Sequence, residues 1–72
     1  MSGTIQITLN GVNTPVPAEH SVLDLVSSLG LNPQQVAVEV NREIVTRATW
    51  SERVLSPADE IEVVHFVGGG EG

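Results

Sequence analysis

The chain closes on IEVVHFVGGGEG, residues 61–72. Residues 61–67 form the longest apolar strand signal in the sequence, and they pass into Gly68, Gly69 and Gly70 with no turn or helix cap between. A run of that length with alternating parity reads as a strand in the interior of a sheet. If Ile61 and Val63 point to a covered core, then Glu62, Val64 and Phe66 point to the opposite face. Nothing in so short a chain is left over to cover that face, so Val64 and Phe66, with Glu62 beside them, are expected to form a partner-binding patch. Glu60 and Glu62 alternate with Ile61 and Val63 as a solvated strand face, one that suits arginines on a partner.

Upstream, Ser56-Pro57-Ala58-Asp59 is a turn with φ fixed at its proline. Residues 36–40, VAVEV, alternate again, and Asn41-Arg42 turns them into the short segment 43–45. Val54-Leu55 is a fragment of strand at most. Ser21 and Asp24 have the spacing of an N-cap pair, and Val22, Leu25, Val26 and Leu29 make one apolar stripe at i, i+3, i+4 and i+7. Gly30 is placed to close that helix in the left-handed conformation. At the N-terminal end, Ile5, Ile7 and Leu9 alternate with polar residues, Asn10-Gly11 is a hairpin signal, and residues 12–16 return as a strand that Pro15 confines to a sheet edge. The order of strand, strand, helix, strand, weak strand, strand predicts an α+β chain of the β-grasp, ubiquitin-like type. Its mixed sheet has four to five strands, one helix covers one face, and the first and last strands lie side by side in the middle.

Composition narrows the chemistry. At 72 residues this is one small domain, expected over residues 1–67 with a flexible glycine-rich tail over residues 68–72, and it has little room for an enclosed active site. There is no cysteine, which excludes disulfides, thiolate metal sites and a cysteine nucleophile, and no lysine, which excludes Schiff-base chemistry. Nine acidic residues against three arginines give a formal charge of −6, which repels phosphate backbones and makes nucleic acid an unsuitable partner. The N-terminus lacks a secretory signal and no apolar stretch reaches the roughly 20 residues that span a membrane, so a cytoplasmic protein without a membrane partner is expected. His20 and His65 belong to no recognisable triad or metal site, and Trp50 is expected to plug the core.

The tail suits a different kind of chemistry. Glycine has no Cβ, so an extended Gly-Gly segment enters a channel too narrow for any side chain, and its carbonyl carbon is open to attack from either face. Such a tail suits a protein whose own carboxylate is the substrate. A carboxylate is a poor electrophile until adenylation supplies a leaving group. Ordering the tail in another enzyme costs about 1–2 kcal/mol per residue, which calls for a separate docking surface on the folded domain.

NREIVTRATW over residues 41–50, with Leu55, Asp59 and IEVVHFVGGG over residues 61–70, resembles the ThiS family of ubiquitin-like sulfur carriers of thiamin thiazole biosynthesis. The resemblance implies a carrier that is itself no enzyme and binds no cofactor. A ThiF-like adenylyltransferase uses ATP to adenylate its C-terminal glycine, sulfur from a cysteine desulfurase replaces AMP to give a thiocarboxylate, and thiazole synthase consumes the sulfur. By this resemblance Gly70 is the acyl site and Gly68 and Gly69 are the threading residues. The family commonly stops at the glycines, whereas Glu71 and Gly72 follow here, so either the two are removed or Gly72 serves instead; removal by a C-terminal peptidase is the expectation, because Glu71 would otherwise carry a negative charge toward the triphosphate of ATP. Two alternatives stand beside this reading: a carrier for molybdopterin or cysteine synthesis, and a β-grasp interaction module that is never activated.

Overall fold

The computed structural model describes residues 3–66. Five strands form one mixed sheet in the order β2-β1-β5-β3-β4, where β1 is Thr4–Leu9, β2 Val12–Pro17, β3 Val36–Val40, β4 Glu43–Ile44 and β5 Glu60–His65. The first and last strands are neighbours, as expected, and run parallel, while every other pairing is antiparallel. Helix α1, Val22–Ser28, covers one face. The architecture is the β-grasp.

Turn chemistry accounts for the strand pairs. Asn10 and Gly11 both sit at positive φ, 50° and 83°, which matches the twist of the β1–β2 hairpin. Asn41 and Arg42 repeat the geometry between β3 and β4 at 52° and 72°. Pro15 lies opposite Gln6 on β2, an edge strand of the sheet. The turn before β5 has Ala58 at φ 68°, a conformation in which Cβ crowds the following carbonyl. Ala58→Gly is therefore expected to stabilise the fold by about 0.5–1 kcal/mol, the relief of that strain less the extra backbone entropy of glycine. A urea midpoint below that of the parent would contradict the strain.

The core lies between the inner sheet face and α1. Ile7, Val16, Val36, Val38, Val40 and Ile61 meet Val22, Leu25 and Val26, with Trp50 and Leu55 closing one end. Trp50 is buried as expected, its indole Nε1 donating to the Val45 carbonyl at 2.9 Å. Leu29 departs from the expected stripe. It is the C-cap of a helix ending at Ser28, and with Gly30 at φ 73° turning the chain away it stays 42% exposed. Two 3₁₀ turns, Pro33–Gln35 and Arg47–Thr49, occupy segments that carry no periodic signal. Val54 makes an isolated bridge to Ser21 and no strand of its own.

The helix start is a reciprocal capping box. Asp24 N–H donates to Ser21 Oγ and Ser21 N–H to Asp24 Oδ2, each at 3.0 Å. The bond from the Ser21 backbone, then the Ser21 side chain, and with less weight the nearby His20, hold the Asp24 carboxyl below its ordinary 3.8, against a small opposing effect of desolvation. A carboxyl with a depressed folded pKa contributes stability that is fully present above its unfolded pKa and is lost as pH falls through the folded value. The urea midpoint of Asp24→Asn should accordingly lie below the parent's at neutral pH and converge on it in acid. A constant gap across that range would show that the carboxylate charge plays no part.

Candidate functional site

The sheet face opposite α1 is open. Register places Glu62 of β5 opposite Glu39 of β3, and Val64 opposite Ala37. No bulge shifts the parity of β5, because Phe66 N–H donates to the Gln35 carbonyl at 2.8 Å, in phase with the Asn41 N–H bond to Glu60 at the other end of the strand. Val64 is 52% and Phe66 49% exposed, whereas Ile61 on the other face is fully buried. The residues expected to form the patch, Glu62, Val64 and Phe66, thus project together from one strand face.

An acidic border adjoins this apolar pair. Glu39, Glu60 and Glu62 line a shallow depression of about 160 Å³ together with Arg42. Glu39 and Glu62 are direct cross-strand partners, an arrangement of like charges that disfavours the sheet. Parity along the last strand singles out Glu60 and Glu62 but not Glu39 or Ala37. The alternation of VAVEV fixes the parity of these two, yet only the β3–β5 register shows which side chains they flank.

Other candidates resolve as structure. His65 is exposed at the end of β5, and His20 accepts through its backbone carbonyl from Leu55 N–H at 2.8 Å. Asp59, though buried, is fully engaged, accepting from Asn41 Nδ2 at 3.0 Å and Ser56 N–H at 2.8 Å, with Arg53 Nη1 at 3.9 Å. Arg47 donates to the Pro33 and Val36 carbonyls and lies over the Trp50 ring, 5.4 Å from its centroid. Among the described residues no cluster of His, Asp or Glu has the arrangement to hold a metal, and no helix is long and apolar enough to cross a membrane. Gly68, Gly69 and Gly70, the expected threading residues and acyl site, lie outside the described residues together with Val67, and so does the expected division after residue 67.

Known proteins place this arrangement. The chain is 44% identical over 50 residues to the sulfur carrier protein ThiS of Bacillus subtilis, a match covering 69% of this chain and 76% of the relative. It is 43% identical over 67 residues to a thiazole synthase of Magnetococcus marinus, covering 93% of this chain but only 21% of that enzyme, so the chain spans about a fifth of the relative's length. The crystal structure of a ThiS thiamine biosynthesis protein from Geobacter metallireducens superposes with a TM-score of 0.79 at 29% identity, covering 92% of this chain and all of that one. The ThiS family model matches residues 5–70, a span that takes in the five strands save Thr4 at the start of β1, the helix and the three glycines: the chain belongs to the ThiS family.

Proposed function

We propose that this chain is a sulfur carrier for thiamin thiazole synthesis, a protein co-substrate that supplies no catalytic side chain of its own. The observation that carries the reading is a ThiS family match ending at Gly70, on a scaffold whose last strand leads toward that residue. Hydrolysis of the Gly70–Glu71 peptide bond by a peptidase frees the Gly70 carboxylate. One carboxylate oxygen attacks the α-phosphorus of ATP in an adenylyltransferase, pyrophosphate leaves, and the mixed anhydride supplies the leaving group that a carboxylate lacks. The terminal sulfur of a persulfide formed by a cysteine desulfurase adds to the acyl carbon and expels AMP, and a thiol then cleaves the resulting acyl disulfide, releasing the thiocarboxylate as the thiol is oxidised to a disulfide. Thiazole synthase as the acceptor is supported by the presence of a segment like this chain within a thiazole synthase. That same observation favours the thiazole pathway over molybdopterin or cysteine synthesis.

The open sheet face is the docking surface in this reading. Val64 and Phe66 supply apolar area, and the Glu39, Glu60 and Glu62 border suits a partner carrying arginines. Phe66→Asp is expected to weaken binding to the adenylyltransferase at least tenfold, about 1.4 kcal/mol. Its thermal midpoint should stay near the parent's, because the side chain is already half exposed. A lowered midpoint with unchanged affinity would assign Phe66 to the core. Adenylation itself is tested by ATP–pyrophosphate exchange in the presence of the adenylyltransferase. Exchange that depends on this chain supports the reading, and its absence with both the full chain and the form ending at Gly70 would favour an interaction module that is never activated.

A further inference from the structure

Among the described residues, the end of β5 is held on its β1 side by a single side chain. The parallel ladder between β1 and β5 covers only Thr8↔Glu60 and Leu9↔Ile61, because β1 ends where Asn10-Gly11 turns away into the hairpin. Asn10 extends it. Its backbone N–H donates to the Ile61 carbonyl at 2.8 Å, and its side chain then takes the position that a further β1 residue would hold. Val63 N–H donates to Asn10 Oδ1 at 2.9 Å, and Asn10 Nδ2 donates back to the Val63 carbonyl at 3.4 Å. A primary amide carries the same acceptor and donor as a peptide group, so it can replace one in a ladder.

The bonding phase of β5 explains why this matters. Its even-numbered residues turn their backbone groups toward β3, as the Asn41 bond to Glu60 and the Phe66 bond to Gln35 show. The groups of Val63 therefore face the β1 side, where the hairpin has already left. Asn10 is exposed, so its side chain is no core filler, and it bridges 53 positions in sequence. Val63 is the last described β5 residue bonded toward β1, with Val38 of β3 as its neighbour on the other side.

We propose that Asn10 is a positioning residue for the carrier reaction: by clamping Val63 it fixes the direction in which β5 leaves the sheet, and so the placement of the terminal carboxylate relative to the Val64 and Phe66 docking face. This rests on the sulfur-carrier reading of the tail. Beyond Val63 the described end of β5 is bonded on its β3 side alone, through Phe66 N–H to the Gln35 carbonyl, so loss of the Asn10 bonds leaves that end free to shift about the β3 edge. A misplacement of about 1 Å at a reacting group is enough to slow a reaction by up to about a hundredfold.

Two substitutions separate the clamp from the turn. Asn10→Gly keeps the positive φ that the hairpin requires and removes the amide, while Asn10→Asp keeps the acceptor for Val63 N–H and removes the donor. In the full chain, Asn10→Gly should speed hydrogen exchange at the Val63 amide about tenfold or more, with the thermal midpoint unchanged. Adenylation is then followed on the carrier in whichever form, full chain or ending at Gly70, the unsubstituted protein is turned over. There the Gly variant should lose about tenfold in kcat with its affinity for the adenylyltransferase retained, and Asp should restore most of the rate. An unchanged kcat for Asn10→Gly, a loss matched by an equal loss of affinity, or an Asp variant as slow as Gly would each overturn the proposal. If the unsubstituted chain is turned over in neither form, the sulfur-carrier reading falls and the positioning role with it; Val63 exchange would still report whether the clamp exists.

Discussion

Trp50→Ala is expected to destabilise the domain by about 3–5 kcal/mol, the range for removing a buried tryptophan. Trp50 is the largest of the fully buried side chains, it is 1% exposed, and it closes the end of the core where Leu55 and α1 meet. Its truncation would also strip the Val45 carbonyl of the indole donor at 2.9 Å and leave the Arg47 guanidinium without the ring beneath it. The segment between β4 and β5 is otherwise held to the helix by a few bonds, among them Leu23 N–H to the Trp50 carbonyl at 3.2 Å and Val22 N–H to the Arg53 carbonyl at 2.9 Å. At about 0.05–0.15 kcal/mol per residue, a domain of this size has little stability to spare beyond such a loss. Urea unfolding followed by circular dichroism measures the effect, and a midpoint equal to the parent's would show that the cavity collapses without cost. Trp50→Phe, which keeps most of the packing and loses the hydrogen bond, should fall between the two.

Gly70→Val is expected to abolish thiocarboxylate formation while leaving the thermal midpoint unchanged. A β-branched side chain at the acyl residue stands beside the carbon that must accept the sulfur nucleophile, and it widens a chain that glycine keeps bare. Loss of near-attack geometry at the reacting centre is worth at least about a hundredfold in rate. Glu71 tests the same site from the other direction. Were Gly72 the acceptor, Glu71 would carry a negative charge toward the triphosphate in a site of low dielectric, where like charges repel strongly. A chain ending at Gly70 avoids that repulsion and should react readily, whereas the full chain should react slowly or only after a peptidase has acted. A Gly70→Val chain that gained sulfur at the parent rate would contradict the steric argument.

The residues that announce themselves in the sequence are those whose role is local. Ile5, Ile7 and Leu9 alternate, Asn10-Gly11 and Asn41-Arg42 supply positive φ, and Ser21 with Asp24 closes a capping box, and each of these can be read from a few adjacent positions. Leu29 misleads because the stripe continues one residue past the point where the helix stops. Val64 and Phe66 are legible by parity from Ile61, since strand alternation needs no knowledge of neighbours. The facing of Glu39 on Glu62 and the clamp of Asn10 on Val63 are of another kind. Both depend on which strands meet and in what register, and a side-chain amide acting as a ladder group has no signature of its own in the sequence.

Activation of the terminal glycine and its loading with sulfur are read by intact mass followed by fragmentation. The full chain and the chain ending at Gly70 are each incubated with the adenylyltransferase, ATP and a sulfur donor. One oxygen is expected to exchange for sulfur on Gly70, rapidly in the shorter chain and slowly or only after peptidase action in the longer. Equal rates with the sulfur on Gly72, or no gain of sulfur in either chain, would contradict this expectation.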